Sequence, residues 1–378
     1  MRRVVPMDWV PAQPGDPIKE IDTPALILDL DKFEANLKRM TDFAASAHVR
    51  VRPHAKIHKC AEIAHRQIEA YGGGICCQKL GEAEAMLGGD ITDVLITSQI
   101  VGERKMRRLA HLARAYAPAR VGVCVDHVDV ARQLAAISQA EEARLEVYVD
   151  IDIGQNRSGV QTPEAVVELA QILVASPNLA FMGVHAYSAL AQHRRGVPER
   201  REATDRAAAR VTDARDALLA ANLPCEVVCG GGTGSFLYEA ASGIFNEIHP
   251  GSFAFMDIHY AKNEQDPAGP KFEHSMFVLT SVMSVGEERA TLDGGLKAFS
   301  TDTGPAQPTF SGWRVRSVSD EHTVLMRVVE AVPIKLGDKA LLIPGHCDPT
   351  VNLHDWIVAV RSNTVEALWP VDARGALY

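Results

Sequence analysis

No stretch of the chain approaches the roughly 18 uninterrupted apolar residues that a membrane-spanning helix needs, and no block of positive charge stands without nearby acids. The first absence argues against a membrane helix. With 48 acidic against 39 basic side chains and a formal charge of −9, a nucleic acid or anionic membrane surface is not an expected partner, because such partners select clustered positive charge. The arginine-rich run 193-HRRGVPERRE-202 carries its own glutamates and reads as a solvated helix start. A disulfide framework is missing too. The seven cysteines, at positions 60, 76, 77, 124, 225, 229 and 347, are too few and too scattered for one, so a reducing cytoplasm is the expected compartment. Cys225 and Cys229 lie four apart, but no second close pair completes a zinc site, and a core strand accounts for both. The first seventeen residues hold two arginines, then Asp8, Trp9 and four prolines instead of an apolar region, so no signal peptide is expected. Low-complexity linkers are likewise absent.

What is present describes a packed soluble protein: 378 residues, 47% apolar and 23% charged, enough for one large domain with a smaller one. Between Asp29 and Ala44, Phe33, Leu37, Met40 and Ala44 share one helical face, and Asp31 followed by Glu34 resembles an N-terminal cap. Eight β-rich runs then begin near positions 49, 73, 93, 120, 145, 181, 225 and 245, alternating with helical stretches such as 103–116 and 163–175. That rhythm predicts an α/β protein with a (β/α)₈ TIM-type barrel over residues 28–255. Beyond about residue 255 the runs 276–285, 323–332, 340–344 and 356–363 read as strands between Gly, Pro and Asp turns. With the strand-like 24-PALILDL-30 they predict a second, mostly β domain made of residues 1–27 and 256–378.

Barrels of this kind place their active sites at the C-terminal ends of the strands, often with a phosphate site after the last two. There the sequence has 230-GGGTGS-235 and 250-PGS-252: glycines let backbone N–H groups approach a phosphate, and Thr233, Ser235 and Ser252 offer hydroxyls. The first string lacks the final glycine of a dinucleotide fingerprint and no Lys-Ser/Thr follows it. At the end of the first strand stands 51-VRPHAKIHKC-60. If the backbone stays extended past Pro53, Arg52, His54 and Lys56 point to one side, and Lys59 falls in the next helix. A strand-end lysine opposite a phosphate cradle suggests an imine to pyridoxal phosphate. Asp150, Asp152, Arg157, His185 and Tyr187 gather at the ends of strands five and six, where they could contact a cofactor or simply satisfy one another. In 345-GHCDPTVNLHDW-356, His346 and Asp348 share a face if the segment is extended and could clamp one divalent ion, while Cys347 points away.

These motifs, in this order, resemble the D-threonine aldolase and 3-hydroxy-D-aspartate aldolase family, fold-type III pyridoxal-phosphate enzymes related to alanine racemase and D-serine dehydratase. The resemblance runs from 22-DTPALILDLDKFEANL-37 through RPHAKIHKC, GICCQKLGEAEA, CGGGTGS, GSFAFMD and HCDPTVNLHDW to 372-DARGALY-378. It implies a carbon–carbon lyase that cleaves D-3-hydroxyamino acids to glycine and an aldehyde or glyoxylate. It assigns the cofactor lysine to Lys56, ring contacts to Arg157 and Tyr187, and the phosphate to Gly232, Thr233, Gly251 and Ser252. His346 and Asp348 would hold the metal, and the protein would be a homodimer. The base would be a metal-bound water or a histidine, with His193 the first choice on this resemblance and His322 a weaker one. Two departures, 187-YSALAQH-193 without the usual glycine and 257-DIHYAKNE-264, touch the substrate pocket more than the chemistry. The rival chemistry is dehydration, as in D-serine dehydratase, whose relatives present His-x-Cys to zinc; imidazole with carboxylate suits Mn²⁺ or Mg²⁺ better. A non-catalytic pyridoxal-phosphate carrier is the further alternative, in which neither a β domain nor a metal pair is expected. A second carboxylate on the substrate would need a cation, for which Arg52, Arg194 and Arg195 are candidates.

Overall fold

The computed structural model describes residues 9–328 and 330–378. The expectation about a signal peptide, and the assignment of residues 1–27, therefore fall partly outside the described residues. Strand β1 (Ala25–Asp29) runs directly into the helix Leu30–Ala47. Asp29 caps that helix by accepting from the Lys32 N–H at 3.1 Å, so the cap lies two residues before the predicted Asp31. Asp29 is still extended and can turn its carboxylate onto the first free N–H groups; Asp31 is already helical.

Eight parallel strands follow: β2 (Arg50–Val51), β3 (Ile75–Cys77), β4 (Asp93–Gln99), β5 (Arg120–Val125), β6 (Leu145–Asp150), β7 (Leu179–Ala186), β8 (Val227–Gly230) and β9 (Glu247–Ile248). Their order is β2-β9-β8-β7-β6-β5-β4-β3, and the two edges meet where His54 bridges Cys76, with the Cys76 N–H donating to Pro53 O at 2.8 Å. The sheet thus curls into the expected barrel, each strand starting within two residues of its predicted place. Alternation along the strands sorts the side chains. Val94, Ile96, Val123, Val125, Val147 and Val149 face the surrounding helices, whereas Leu95, Cys124, Tyr148, Val227 and Cys229 pack with Cys76 inside the barrel. Each fully buried aliphatic side chain contributes about 1.5–3 kcal/mol.

The second sheet contains β10 (Met276–Val285), β11 (Arg289–Leu292), β12 (Gln307–Pro308), β13 (Trp313–Val318), β14 (Thr323–Arg327), β15 (Lys339–Ile343), β16 (Trp356–Arg361) and β17 (Thr364–Pro370). β1 lies inside it, antiparallel to β10 and parallel to β16, so the first strand pairs with late ones. The sequence reading missed β11, β12, β13 and β17 and ran β14 on to residue 332; it ends at Arg327. Runs such as RATL and WRVRSV are short and half polar, so periodicity marks them weakly. The arginine-rich run before the helix Val197–Ala220 is less solvated than expected. Arg200 is buried and donates to the carbonyls of Arg194, Arg195 and Glu264. Among the described residues no helix is long and apolar enough to cross a membrane.

Candidate active site

The segment 51–60 shows how the lysine is presented. The strand stops at Val51, and after Pro53 the chain turns into a short 3₁₀ helix, Ala55–Ile57, so the extended path assumed from sequence ends two residues early. His54 caps this turn: its Nδ1 accepts from the Lys56 N–H at 3.3 Å, which leaves Nε2–H to donate to Thr97 Oγ1 at 3.0 Å. Arg52 and His54 do point into the barrel. Arg52 pairs with Asp93 (2.6 Å) and Glu247 (3.1 Å), the first residues of their strands. It is therefore locked at the opposite end from the candidate site and is not free to meet a substrate carboxylate. Lys59 does not lie in the next helix; it precedes that helix, is buried, and pairs with Glu82 at 2.9 Å. Of the two lysines, Lys56 alone reaches the cleft.

That cleft, about 660 Å³ including its mouth open to solvent, lies at the C-terminal ends of the strands and brings Lys56 together with Arg157, Tyr187, Gly232, Thr233, Gly251 and Ser252. All six predicted companions of the lysine thus line one cavity. Arg157 lies over the Tyr187 ring, 5.5 Å from its centroid. Its loop is shaped by Asp152, whose Oδ1 accepts from the N–H groups of Gly154, Gln155 and Asn156. Thr233 Oγ1 accepts from the Phe253 N–H at 3.0 Å, tying the two glycine loops together. Among the described residues the N–H groups of Gly232, Thr233 and Ser252 have no protein acceptor, as an anion-binding end requires. A Cβ on Gly251 would come within 3.3 Å of His54, and one on Gly232 within 2.7 Å of Gln192 Oε1, so a side chain at either position would crowd the residues beneath the loop. Ser235 is not part of this end; it is buried between Gln192 and Glu239.

The cleft floor is made of imidazoles that sequence reasoning did not single out together. His185 donates from Nδ1 to Asp150 at 2.8 Å and stacks on His249 at 5.6 Å; His249 bonds Glu247 at 3.0 Å. Burial lowers His54 well below its ordinary value and brings His249 to about 4, so both are neutral. Cys229, Glu247 and His249 put three donor atoms within 4.8 Å of one another. Glu247 already holds Arg50, Arg52 and His249, and burial pushes the Cys229 thiol up, so the charge of this cluster is balanced without a cation, while His249 Nδ1 is buried with no partner.

At the other side, the His346–Asp348 segment is not extended as assumed. His346 immediately precedes the short helix Cys347–Val351, without a side-chain capping bond, and Asp348 lies in its first turn. The two still converge, with Nε2 and Oδ2 3.6 Å apart, and Lys56 Nζ forms an ion pair with Asp348. Burial opposes charge here but is overcome: Asp348 and Asp302 lift His346 to about 9, and Lys56 and His346 hold Asp348 well below the usual carboxylate range. Cys347 points away, its thiol donating to Met256 O, as the sequence suggested. Asp257 joins this turn to the barrel by accepting from the N–H groups of Tyr260 and Cys347. An imidazole and a carboxylate aimed at one point form a donor set for a hard or borderline divalent cation.

His193 stacks flat on His259, centroids 3.9 Å apart, with Tyr260 at 4.9 Å. Burial, then His259 and Arg195, bring His193 down to about 4. Arg195 is committed to His259 O and Asn263 Oδ1, Arg194 is exposed, and His322 sits in the turn between β13 and β14. Tyr260 and Asp302 were missed in the sequence. The tyrosine lay within a quoted motif, but nothing local to 301-TDTG-304 signals the aspartate.

Gln192 and Glu239 underpin the first glycine loop. Gln192 accepts from the Gly234 N–H at 2.8 Å and donates to Ser235 Oγ at 2.7 Å, which in turn donates to Glu239 Oε1; Glu239 Oε2 is buried with no partner. Burial raises Glu239 from 4.5 to about 7. Between those values the folded state holds a proton that the unfolded chain has lost, so this group weakens folding as pH rises and costs nothing below 4.5. Glu239→Gln is therefore expected to gain stability over the parent between pH 5 and 8, by up to about 3 kcal/mol. Denaturant unfolding at both pH values checks this, and a difference that does not change with pH refutes it.

Residues 28–259 match the family model of the alanine racemase N-terminal domain, and residues 275–360 that of a serine dehydratase domain. The chain is 45% identical to the 3-hydroxy-D-aspartate aldolase of Paracoccus denitrificans (strain Pd 1222), covering 98% of this chain and 96% of that one. It is 42% identical to the D-threonine aldolase of an Arthrobacter species, over 97% and 96%. The crystal structure of D-threonine aldolase from Filomicrobium marinum superposes with a TM-score of 0.94 at 44% identity, over 98% of this chain and 100% of that one. The D-threo-3-hydroxyaspartate dehydratase of Delftia is more distant, at 27% over 89% and 93%.

Proposed function

The chain belongs to the family of the 3-hydroxy-D-aspartate and D-threonine aldolases, and from that premise we propose that it is a lyase cleaving D-3-hydroxyamino acids to glycine and an aldehyde or glyoxylate. The observation that carries the reading is that Lys56 shares one cleft with an anion-binding glycine end and lies against the Asp348 carboxylate. In this reading Lys56 anchors pyridoxal phosphate, Gly232, Thr233, Gly251 and Ser252 hold its phosphate, Arg157 and Tyr187 orient its ring, and His346 with Asp348 holds Mn²⁺ or Mg²⁺. When bound, the cofactor supplies the electron sink for breaking Cα–Cβ, and the cation supplies charge that favours the ionised substrate hydroxyl.

The chain's own part is positioning and proton handling. His193, kept neutral by burial and its stack on His259, is the group assigned to accept the hydroxyl proton. Tyr187 and Tyr260 wall the cleft against water. The neutral imidazoles of His54 and His249 add no positive charge to the cleft lining. Cleavage is favoured over dehydration by the hard carboxylate of Asp348 in the second donor position, with Cys347 turned away. A homodimer in the cytoplasm completes the reading. It is supported by the family resemblance and by seven cysteines, none in a disulfide among the described residues.

Incubation of the cofactor-loaded protein with D-threonine, the 3-hydroxyaspartate isomers and D-serine, with Mn²⁺ or with a chelator, is the test. Glycine with acetaldehyde or glyoxylate is expected in the presence of the ion, and little after chelation. Ammonia with a 2-oxo acid and no glycine overturns cleavage in favour of dehydration, and no turnover of any of them leaves a carrier.

A further inference from the structure

The His346 ring is held from its far side. Its Nδ1 lies 2.8 Å from Asp302 Oδ2, while Nε2 faces Asp348 Oδ2 at 3.6 Å. Both oxygens of Asp302 are committed: Oδ2 to His346 and Oδ1 to the Ser300 hydroxyl at 2.7 Å. The loop that carries Asp302 is fastened to the turn that carries His346. Thr350 Oγ1 donates to His346 O at 2.7 Å and accepts from the Ser300 N–H at 3.1 Å. Gly345 and Gly304 pack so closely that a Cβ on Gly345 would lie 2.3 Å from Gly304 O. Two independent connections therefore set where Asp302 meets the ring.

We propose that Asp302 is a positioning residue for the metal ligand His346, fixing the imidazole with its proton on Nδ1 so that the Nε2 lone pair faces Asp348 and a shared divalent cation. This rests on reading His346 and Asp348 as the ion-binding pair. A neutral imidazole left to itself distributes its proton between two nitrogens and rotates; a carboxylate on one nitrogen selects the tautomer and the ring plane and makes the other nitrogen a stronger donor. Asp302 is half exposed, so its contribution is orientation and donor strength instead of buried Coulomb energy. The ion touches His346 and Asp348; Asp302 acts through the ring.

Mn²⁺ is titrated into the cofactor-loaded wild type and into Asp302→Ala, Asp302→Asn and His346→Ala, following free Mn²⁺ by electron paramagnetic resonance. The cofactor absorption band and thermal melting serve as controls. The wild type is expected to bind one ion per chain and His346→Ala to lose it. Asp302→Ala should weaken binding by about 10–100-fold with the cofactor band unchanged. Asp302→Asn should fall between, because the amide oxygen still accepts from Nδ1–H without the charge. The asparagine variant is isosteric and keeps the test decisive if the alanine variant does not fold. Retention of wild-type affinity within twofold by the Asp302 variants, while His346→Ala loses the ion, overturns the positioning role and leaves the metal pair standing. Unchanged binding in His346→Ala overturns both.

Discussion

Lys56→Ala is expected to lower turnover of D-3-hydroxyamino acids by roughly 10³-fold or more, the range for removing a group that acts directly on the reacting atoms. The same change should abolish borohydride fixation of pyridoxal phosphate to the chain. The physical case is one of access. Lys59, three residues on, is buried against Glu82 and cannot substitute, while Lys56 Nζ stands in the cleft beside Asp348. Peptide mapping after borohydride reduction locates the modified side chain. Label on a different lysine, or an active Lys56→Ala protein, removes the basis of the proposed function.

Asp348→Asn should have the next largest effect. In the wild type this half-buried carboxylate is balanced by Lys56 and His346, and the amide keeps its shape without its charge. Polarisation by a bound cation contributes several kcal/mol in transition-state stabilisation, and about 4 kcal/mol corresponds to roughly 10³ in rate. The variant should therefore turn over about as slowly as the chelated wild type, respond little to added Mn²⁺, and still give the borohydride-fixed Lys56 peptide. Wild-type rates in Asp348→Asn, or full stimulation by Mn²⁺, would mean that the ion is held elsewhere.

Much of this was legible before any folding was considered. The eight apolar runs, the glycine strings after the last two strands, the lysine after the first and the His-x-Asp triplet are local patterns, and each sits within a few residues of its predicted place. Strand alternation also sent Arg52 and His54 inward, as expected. Local geometry was less legible: Pro53 and the His54 cap turn the chain at Lys56, and a helical turn, not a strand, brings His346 towards Asp348. The weakest signals came from partners distant in sequence. Asp302 meets His346 across 44 positions, Gln192 meets Ser235 across 43, and Arg52 meets Glu247 across 195. Fold class was thus set by the sequence itself, because hydrophobic period and turn chemistry act over a few neighbours, while the chemical class and the roles expected of Arg157, Tyr187 and His193 came from the resemblance of its ordered motifs to a known family. Which donors face one another, which arginine is locked away and which carboxylate stays protonated were decided by the tertiary structure alone, because hydrogen bonds and desolvation depend on distances in space that no short stretch of chain encodes.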